Sequence, residues 1–277
     1  SDIPIDRENP EIIENGGYYT FFVRATEVYK NQTLGESSIT TITINVRDID
    51  DNIPEFNKPY FNLTIPENLE QDMVLPKFSV EVHDRDGIAE NNRYNLTISN
   101  VENAEGLFDI SPKQGHGRTQ VIVKVKNSSR LDYDVKSEEE RTFIFDIIAT
   151  VNFIMLAKTR VEVHLEGIND HFPAFSQSNY RIQVAENVEF NSLISNLSAS
   201  DNDVGIYGQL HYLLRGFGSE NFQTSAKEGG LYVKNNLDYE LQKSYSLSLI
   251  ARDFGGRETN ANLFIDIIDV NDNCEHR

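Results

Sequence analysis

Three short acidic segments recur along the chain, each after a run of alternating, β-branched residues. The segments are Asp48–Asn52, Gly167–His171 and Asp269–Asn273. The preceding runs, which have the period of two typical of a half-buried strand, are 43–47, 161–165 and 264–268. Asp51, Asp170 and Asp272 are 119 and 102 residues apart, the length of a small domain. The sequence therefore predicts repeated β domains with carboxylates, and bound cations, at each junction.

Composition supports this interpretation. Short alternating runs separated by polar turns occur throughout the 277 residues, and long helical stripes do not, which favours β-sandwiches. A net charge of −19 excludes a nucleic-acid binder and opposes compaction unless cations screen it. The single cysteine, Cys274, excludes an internal disulfide and a thiolate metal site. No apolar run approaches the length of a membrane span, and we expect the chain to be part of something longer.

Asn-x-Ser/Thr triplets indicate the compartment. Five occur, and together with the acidic balance they favour an extracellular glycoprotein. The candidate glycosylation sites are Asn31, Asn62, Asn95, Asn127 and Asn196.

Aligning the repeats on Pro54–Phe56 and Pro173–Phe175 brings further acids into register. A Glu-Asn pair follows each proline by thirteen residues, and then come an Asp-x-Asp and a Leu-Asp-x-acid. A last triplet, expected in the middle of a strand, begins with alanine and ends at Asp253, with Val151 and Glu27 in the matching positions. Solvated turn acids explain any one of these matches but not their repeated order.

This order of motifs resembles the extracellular repeats of the cadherin superfamily. The resemblance implies an all-β fold of tandem seven-stranded Greek-key sandwiches, joined end to end by linkers that bind calcium. It divides the chain into the closing part of a repeat (1–53), two complete repeats (54–171 and 172–273) and the start of a further linker (274–277). It also implies three calcium ions at each full junction.

By resemblance, the junction between the two complete repeats has the fullest set of ligands. They are Glu67, Asp132, Asp134, Asn169, Asp170, Asp201, Asp203 and Asp253. Gly167 departs from the family pattern because it removes a carboxylate from the middle ion. His171 replaces an asparagine whose backbone oxygen the family uses, so we expect it to be harmless. We expect three ions here, the middle one weakened.

The other two junctions are less complete. For the first, the resemblance implies Asp6, Glu8, Asp48, Asp51, Asp84 and Asp86. Val151 stands where the upper repeat should supply an aspartate, and the glutamate of the truncated repeat lies upstream, so we expect fewer ions. The third is half a site and consists of Glu186, Asp238, Glu240, Asp269, Asn271 and Asp272.

Residues 1–53 contain closing strands, at 18–23 and 39–44, but not the opening half of a sandwich. Strands with unpaired edges and an uncovered apolar face are not stable alone. Either a separate segment supplies the opening half, or another molecule completes the sheet.

Oxygen ligands in this number favour calcium over zinc, copper and magnesium. The six histidines form no metal-binding pair, and no nucleophile or phosphate-binding motif occurs, so we expect no catalytic residue.

The function predicted first is calcium-dependent cell–cell adhesion, on the extracellular side of the plasma membrane. Its partners would be other cadherin ectodomains, homophilic or heterophilic, and segments outside this chain would anchor it in the membrane. The alternative is a cadherin-type receptor or mechanical spacer that binds a heterophilic ligand. The chain has no tryptophan, so the exchanged tryptophan that the family's terminal repeats use for adhesion cannot lie here.

Overall fold

The computed structural model describes residues 5–30, 32–152 and 154–271. It contains one α-helix and twenty strands, which confirms the all-β prediction. The chain divides into two compact units. The first holds the described residues up to Ile65 with Leu69–Leu131 and Ser137–Leu165, and the second holds Pro66–Asn68, Asp132–Lys136 and the described residues from Glu166 onward. None of the helices in the described part could cross a membrane.

The first unit opens with a short helix and a hairpin. Helix α1 (Pro10–Glu14) begins where the Asn9 side chain accepts the backbone N–H of Glu11, with a proline at its first position. Strands β1 (Tyr18–Val28) and β2 (Leu34–Asn45) then pair in antiparallel register as a two-stranded sheet. The predicted strand 43–47 therefore ends earlier, at Asn45.

The hairpin leaves an apolar face uncovered by the rest of the described chain. Tyr19, Phe21 and Val23 alternate along one face of β1 and are 36–48% exposed. Ile42 and Ile44 lie opposite them on β2 and are about as exposed. The uncovered face that the sequence predicts is therefore present.

The first unit also contains a sandwich of nine strand segments. They are β3 (Glu55–Phe56), β4 (Tyr60–Pro66), β5 (Val80–His83), β6 (Arg93–Glu102), β7 (Phe108–Ser111), β8 (Gln114–His116), β9 (Arg118–Val125), β10 (Thr142–Val151) and β11 (Ile154–Glu166). One sheet has the order β4-β11-β10-β6-β8 and the other β3-β5-β9-β7. Short 3₁₀ helices, Ser128–Arg130 and Glu138–Arg141, precede β10. Phe143, Phe145 and Ile147 alternate along β10 and are fully buried in the core.

The second unit contains a matching sandwich. Its segments are β12 (Ala174–Phe175), β13 (Asn179–Ala185), β14 (Leu193–Asn196), β15 (Ala199–Ser200), β16 (Leu210–Arg215), β17 (Phe222–Thr224), β18 (Gly230–Val233), β19 (Ser244–Asp253) and β20 (Glu258–Ile268), with a 3₁₀ turn at Ser219–Asn221. Its sheets have the orders β13-β20-β19-β16, β14-β18-β17 and β12-β15. Tyr245, Leu247 and Leu249 of β19 lie in its core.

Both sandwiches reduce to seven strands when interrupted segments are counted together. These are β3 with β4 and β8 with β9 in the first sandwich, and β12 with β13 and β14 with β15 in the second. In the second sandwich β12 pairs with β15, whereas β13 pairs in parallel with β20 of the other sheet. Strand β13 therefore lies beside the last strand, a non-sequential neighbour, as in the Greek-key order that the sequence predicts.

The strand ends position the acidic residues. Val151 and Asp253 are the last residues of β10 and β19, not mid-strand residues as expected. A side chain at a strand end can reach the loops beside it, which is why Asp253 meets other acids.

Candidate metal centre

Most of the predicted ligands converge in two clusters, one in each unit. The first cluster, in the first unit, consists of Asp6, Glu8, Asp48, Asp51, Asp84 and Asp86. The second cluster, in the second unit, consists of Glu67, Asp132, Asp134, Asn169, Asp170, His171, Asp201, Asp203 and Asp253.

Glu67 anchors the second cluster. It is 8% exposed, and its two carboxylate oxygens accept backbone N–H groups from Tyr133 at 2.5 Å and Ile168 at 2.9 Å. Burial raises the pKa of Glu67, and the negative charges of Asp134 and Asp170 act in the same direction. One side chain thus holds the 132–136 segment and the 166–170 connector together.

The Asp132–Asp134 turn supplies two more carboxylates. Asp132 accepts the N–H groups of Asp134 and Val135, and its oxygen lies within 4.8 Å of ligand atoms of Glu67 and Asp134. Asp134 accepts the N–H of Val204 at 2.7 Å through Oδ1. Its other oxygen is buried and has no hydrogen-bond partner.

Asp201, Asp203 and Asp253 form a second carboxylate group that meets within 4.8 Å. Asp253 is 1% exposed, and its Oδ1 accepts N–H groups from Arg257 and from the Asn169 side chain. Burial raises the pKa of Asp201, and the charges of Asp203 and Asp253 add to this effect. These acids repel one another unless a cation lies among them.

Asn169 depends on a glycine. A Cβ added at Gly255 would lie 1.5 Å from Asn169 Nδ2, so only glycine leaves room for this side chain. The amide donates to Asp253 at 3.2 Å, and its buried Oδ1 has no hydrogen-bond partner.

The side chain of His171 also lies in the second cluster. Its Nδ1 lies 2.8 Å from an oxygen of Asp203, 2.8 Å from one of Asp170 and 3.6 Å from one of Asp134. The hydrogen bond that His171 donates to Asp203 raises the pKa of His171. Burial works to raise the pKa of Asp203, but hydrogen bonds from His171 and from backbone N–H groups lower it on balance. The cluster therefore contains a nitrogen donor as well as oxygens.

Gly167, where the family pattern has an aspartate, packs against an aromatic ring. A Cβ at this position would lie 2.6 Å from the ring of Tyr133. An aspartate at position 167 would require that ring to move.

The first cluster contains a smaller group of convergent ligands. Glu8, Asp51 and Asp86 bring carboxylate oxygens within 4.8 Å of one another. Asp86 is 3% exposed, and its Oδ1 accepts both the backbone N–H of Asn52 at 3.2 Å and its side-chain amide at 2.8 Å. Asp84 is buried and accepts the N–H of Asp86, and burial raises its pKa.

Asp48 and Glu8 share the remaining part of the first cluster. Asp48 accepts N–H groups from Gly87, Ile88 and the Asn91 side chain. Burial, with the adjoining carboxylate of Asp48, raises the pKa of Glu8 to about 7. Asp6 is exposed and accepts the N–H of Glu8. Much of the hydrogen-bonding capacity of Asp48 is therefore used by the protein itself.

The predicted half site repeats the glutamate anchor. Glu186 is 7% exposed and accepts N–H groups from Tyr239 and Val270, both at 2.7 Å. Asp238 and Glu240 bring oxygens within 4.8 Å of it. Asp269 belongs to no group of convergent acidic side chains in the described ranges, and Asp272 lies outside the described residues.

Most of the buried side-chain oxygens that lack a hydrogen-bond partner belong to the predicted ligands. Within the described residues, seven buried side-chain oxygens have no hydrogen-bond partner. Six belong to predicted ligands: Glu8, Asp86, Asp134, Asn169, Asp201 and Asp253. A buried polar atom without a partner costs stability. A cation with oxygen ligands would satisfy these atoms, so the residues present fit calcium.

Sequence reasoning missed three contributors. Besides His171 and Gly255, the guanidinium of Arg257 donates to the carbonyls of Asp170 and His171 and lies over the Phe172 ring at 4.6 Å. Arg257 is not acidic and recurs in no repeat, so no ligand pattern indicates it.

The candidate glycosylation sites differ in accessibility. Asn62, Asn127 and Asn196 are exposed. Asn95 is half-buried in β6, and its side chain accepts an N–H from Gln114. Asn31 lies outside the described residues.

Comparisons with known proteins agree with the fold. Residues 180–268 match the family model described as cadherin domain. Cadherin-23 of Mus musculus is 32% identical over 272 residues, which are 97% of this chain and 8% of that protein. Cadherin-related family member 2 of Mus musculus is 32% identical over 255 residues, which are 84% of this chain and 19% of that protein. The chain thus spans less than a fifth of the length of either relative.

Among solved structures, the extracellular cadherin domains 1–4 of protocadherin gamma B7 match with a TM-score of 0.66 at 21% identity. The match covers 98% of this chain and 62% of that chain. Crystallised EC22–24 of mouse cadherin-23 match with a TM-score of 0.58 at 24% identity and cover 96% of this chain and 77% of that chain. These likenesses confirm the fold as tandem β-sandwich repeats.

Proposed function

Because this chain belongs to the cadherin superfamily, we propose that it is an extracellular segment of a membrane-anchored protein that joins cells in a calcium-dependent manner. Its acidic clusters would hold calcium, and its partners would be other cadherin ectodomains, of the same or another type. No residue of the chain is assigned a catalytic role.

The single observation that carries this proposal is the set of unpartnered, buried oxygens in the acidic clusters. Six buried oxygens of predicted ligands have no hydrogen-bond donor among the described residues. Calcium takes six to eight oxygens at about 2.3–2.6 Å from carboxylates, amide carbonyls and backbone. An ion of this kind satisfies several such oxygens at once and removes the repulsion between the carboxylates.

Asp203 is central to the proposed calcium centre. It belongs to two groups of convergent ligands, one with Asp201 and Asp253 and one with Asp134 and Asp170. A carboxylate shared in this way can bridge two ions. Bridged ions would bind the connector, the Asp-x-Asp loop and the 132–136 turn to one another, and would stiffen this part of the chain only when calcium is present.

Calorimetric titration of the calcium-free chain tests the proposal. We expect several ions per chain, with dissociation constants of about 10⁻⁴–10⁻³ M, as in other extracellular modules. Circular dichroism should hardly change, because the cores consist of apolar strand faces. Small-angle scattering should report a narrower range of conformations with calcium than with chelator. A chain that takes up no calcium in this range would contradict the proposal.

The alternative function is a receptor or mechanical spacer within the same family. The absence of tryptophan favours it over adhesion through an exchanged tryptophan. Sedimentation of the chain in millimolar calcium separates the two functions. A calcium-dependent dimer would support adhesion by this segment, and a monomer at all concentrations would support the spacer.

We also assign N-glycosylation to the exposed asparagines of the sequons. Asn127 fits this role because it lies in a polar turn, where its side chain accepts N–H and O–H groups from Ser129 of the same sequon. Mass spectrometry of the chain secreted from animal cells should find a glycan on Asn127 and little on the half-buried Asn95.

A further inference from the structure

We propose that Arg257 holds the end of the connector, residues 169–172, on the turn Asp253–Arg257 when no calcium is bound. Arg257 acts as a positioning residue, because it keeps Asp170, a proposed calcium ligand, in place before an ion binds. This use of the contact rests on the proposed function, but the contact in the calcium-free chain does not depend on it.

The Arg257 side chain contacts three consecutive residues of the connector. Its Nη1 donates to the carbonyl oxygens of Asp170 and His171, the latter at 3.3 Å. The guanidinium also lies 4.6 Å from the centroid of the Phe172 ring. A guanidinium is always charged, and its planar face suits an aromatic ring. One side chain therefore binds both the backbone and an aromatic side chain of the connector.

The turn that carries Arg257 is closed by its own hydrogen bonds. Asp253 Oδ1 accepts the backbone N–H of Arg257 at 2.9 Å, and the backbone N–H of Asp253 donates to the carbonyl of Arg257 at 3.1 Å. Gly256 completes the turn with a φ of +97°, a conformation that favours glycine. Because the backbone of Arg257 is already ordered, less entropy is lost when its side chain binds the carbonyls.

The charge of Arg257 suits this position. The carboxylates of the second cluster converge and repel one another when no ion lies among them. Asn169 also contacts the turn, through its side-chain amide and Asp253 at 3.2 Å, but it is itself a proposed ligand. The hydrogen bonds of the Arg257 guanidinium go to backbone carbonyls. They therefore hold the connector and leave the carboxylates of the cluster available to calcium.

The first sandwich has no arginine at the matching position. Met155 follows Val151 by four residues, as Arg257 follows Asp253. Met155 is 56% exposed, and a thioether cannot donate a hydrogen bond to a carbonyl. Of these two hairpins, only the second can hold its connector in this way.

Hydrogen exchange of the full chain in chelator, followed by mass spectrometry, tests the proposal. The backbone N–H groups of Asp170 and His171 donate to Asp203 Oδ1 at 3.4 and 3.2 Å, so their exchange reports whether the connector stays in place. In Arg257→Gln this exchange should be about five- to tenfold faster, because hydrogen bonds to charged groups are among the stronger ones. Arg257→Lys, which keeps the charge, should exchange at an intermediate rate.

Arg252→Gln is the matched control. Arg252 lies on the same hairpin, is 44% exposed and pairs with Glu258 at 3.3 Å, so its replacement changes the net charge equally. Its connector should exchange as in the unmodified chain. Peptides from β19 around Leu247 should exchange alike in all four proteins, because the contact is local. Once calcium has bound, the connectors of all four proteins should also exchange alike, because the ions then hold them.

Equal exchange of the connector in the unmodified chain and in Arg257→Gln would overturn the proposal. Three other results would also overturn it: the same acceleration in Arg252→Gln, which indicates net charge alone, faster exchange throughout β19, which indicates a less stable sandwich, and a difference that persists once calcium has bound.

Calcium uptake is titrated in the same four proteins. A chain that takes up no calcium, but whose connector depends on Arg257 in chelator, would refute the proposed function and leave the contact standing. Normal calcium uptake without any dependence of the connector on Arg257 would do the reverse.

Discussion

The first and second clusters use the same motifs in the same order, yet each lacks a carboxylate at a different position. The first has Asp48 in its connector, where the second has Gly167. The second has Asp253 at its strand end, where the first has Val151. Three groups of convergent ligands form in the second cluster and one in the first.

The comparison shows that the two carboxylates differ in how many of their oxygens the protein itself already uses. Asp48 accepts three hydrogen bonds from the 87–91 loop. Little of its carboxylate therefore remains available to bind an ion. Asp253 is buried beside Asp201 and Asp203 and keeps one oxygen unpartnered. The strand-end carboxylate of Asp253 therefore has more oxygen available to an ion than the connector carboxylate of Asp48.

The largest effect should come from replacing the shared aspartate. Asp203→Asn should lower the calcium count of the chain by about two, because Asp203 belongs to two ligand groups. The matched change in the first cluster, Asp86→Asn, should lower it by about one. Calorimetric stoichiometry measures both. If both variants lose the same number of calcium ions, the two clusters do not differ in how their shared aspartates bind calcium.

A reciprocal exchange at the strand ends should have the next largest effect. Val151→Asp should raise the calcium affinity of the first cluster by on the order of tenfold, about 1.4 kcal/mol, because it supplies the oxygen that Asp253 supplies in the second. Asp253→Val should weaken the second cluster by a similar factor. Anomalous scattering from crystals of each variant would locate the gained or lost ion. If Val151→Asp gains nothing, other ligands limit the first cluster.

A smaller effect should follow from Gly255→Ala. The added Cβ would displace Asn169 from Asp253, so calcium affinity of the second cluster should fall several-fold, by about 1 kcal/mol. Gly87→Ala is the control, since its Cβ would lie 3.2 Å from Asp48 Oδ1, a contact that a slight movement relieves. Calcium titration of both variants decides whether the tight packing around Asn169 matters.

The smallest effect concerns pH in the presence of chelator. The pKa of Glu8 is about 7 in the folded chain against an ordinary 4.5, so between these values the folded state binds a proton that the unfolded state has released. Stability should therefore fall as pH rises from about 4.5 through 7. Glu8→Gln should flatten part of this dependence, whereas Glu14→Gln, at an exposed position, should not. Thermal melts of the three proteins across this pH range measure the dependence. If the melting temperature of Glu8→Gln falls with pH as steeply as that of the unmodified chain, Glu8 is not its cause.

Alternation predicted several strands that the structure contains: 18–23 lies within β1, 39–44 within β2, 161–165 within β11 and 264–268 within β20. Phe143, Phe145 and Ile147 on β10 and Tyr245, Leu247 and Leu249 on β19 follow the period of two that places one face in a core. Tyr19, Phe21 and Val23 follow the same period on β1, but they remain exposed. Periodicity indicates which face is apolar, and only the neighbouring sheet determines whether that face is covered. Helix α1 has no such period and was not predicted.

The candidate site was predictable as a set of acids and unpredictable in its contacts. The recurrence of their motifs brought Glu67 and Asp203 into register, and the resemblance to cadherin repeats indicated them as candidate ligands. It did not indicate that His171 points at Asp203, that Gly255 makes room for Asn169, or that Arg257 binds the connector carbonyls. These contacts join residues 32–87 positions apart, and no local pattern encodes them.

The sequence by itself determined the β architecture and the periodic placement of carboxylates, since both follow from repeats of side-chain type along the chain. The tertiary structure decided which carboxylate oxygens are left without partners and which are spent on backbone N–H groups. Asp48 and Asp253 are the same residue type at equally regular positions, but one is hydrogen-bonded by a loop and the other lies buried at a strand end. The physical reason is that the free energy of a buried charge depends on its neighbours in space, and folding alone brings those neighbours together.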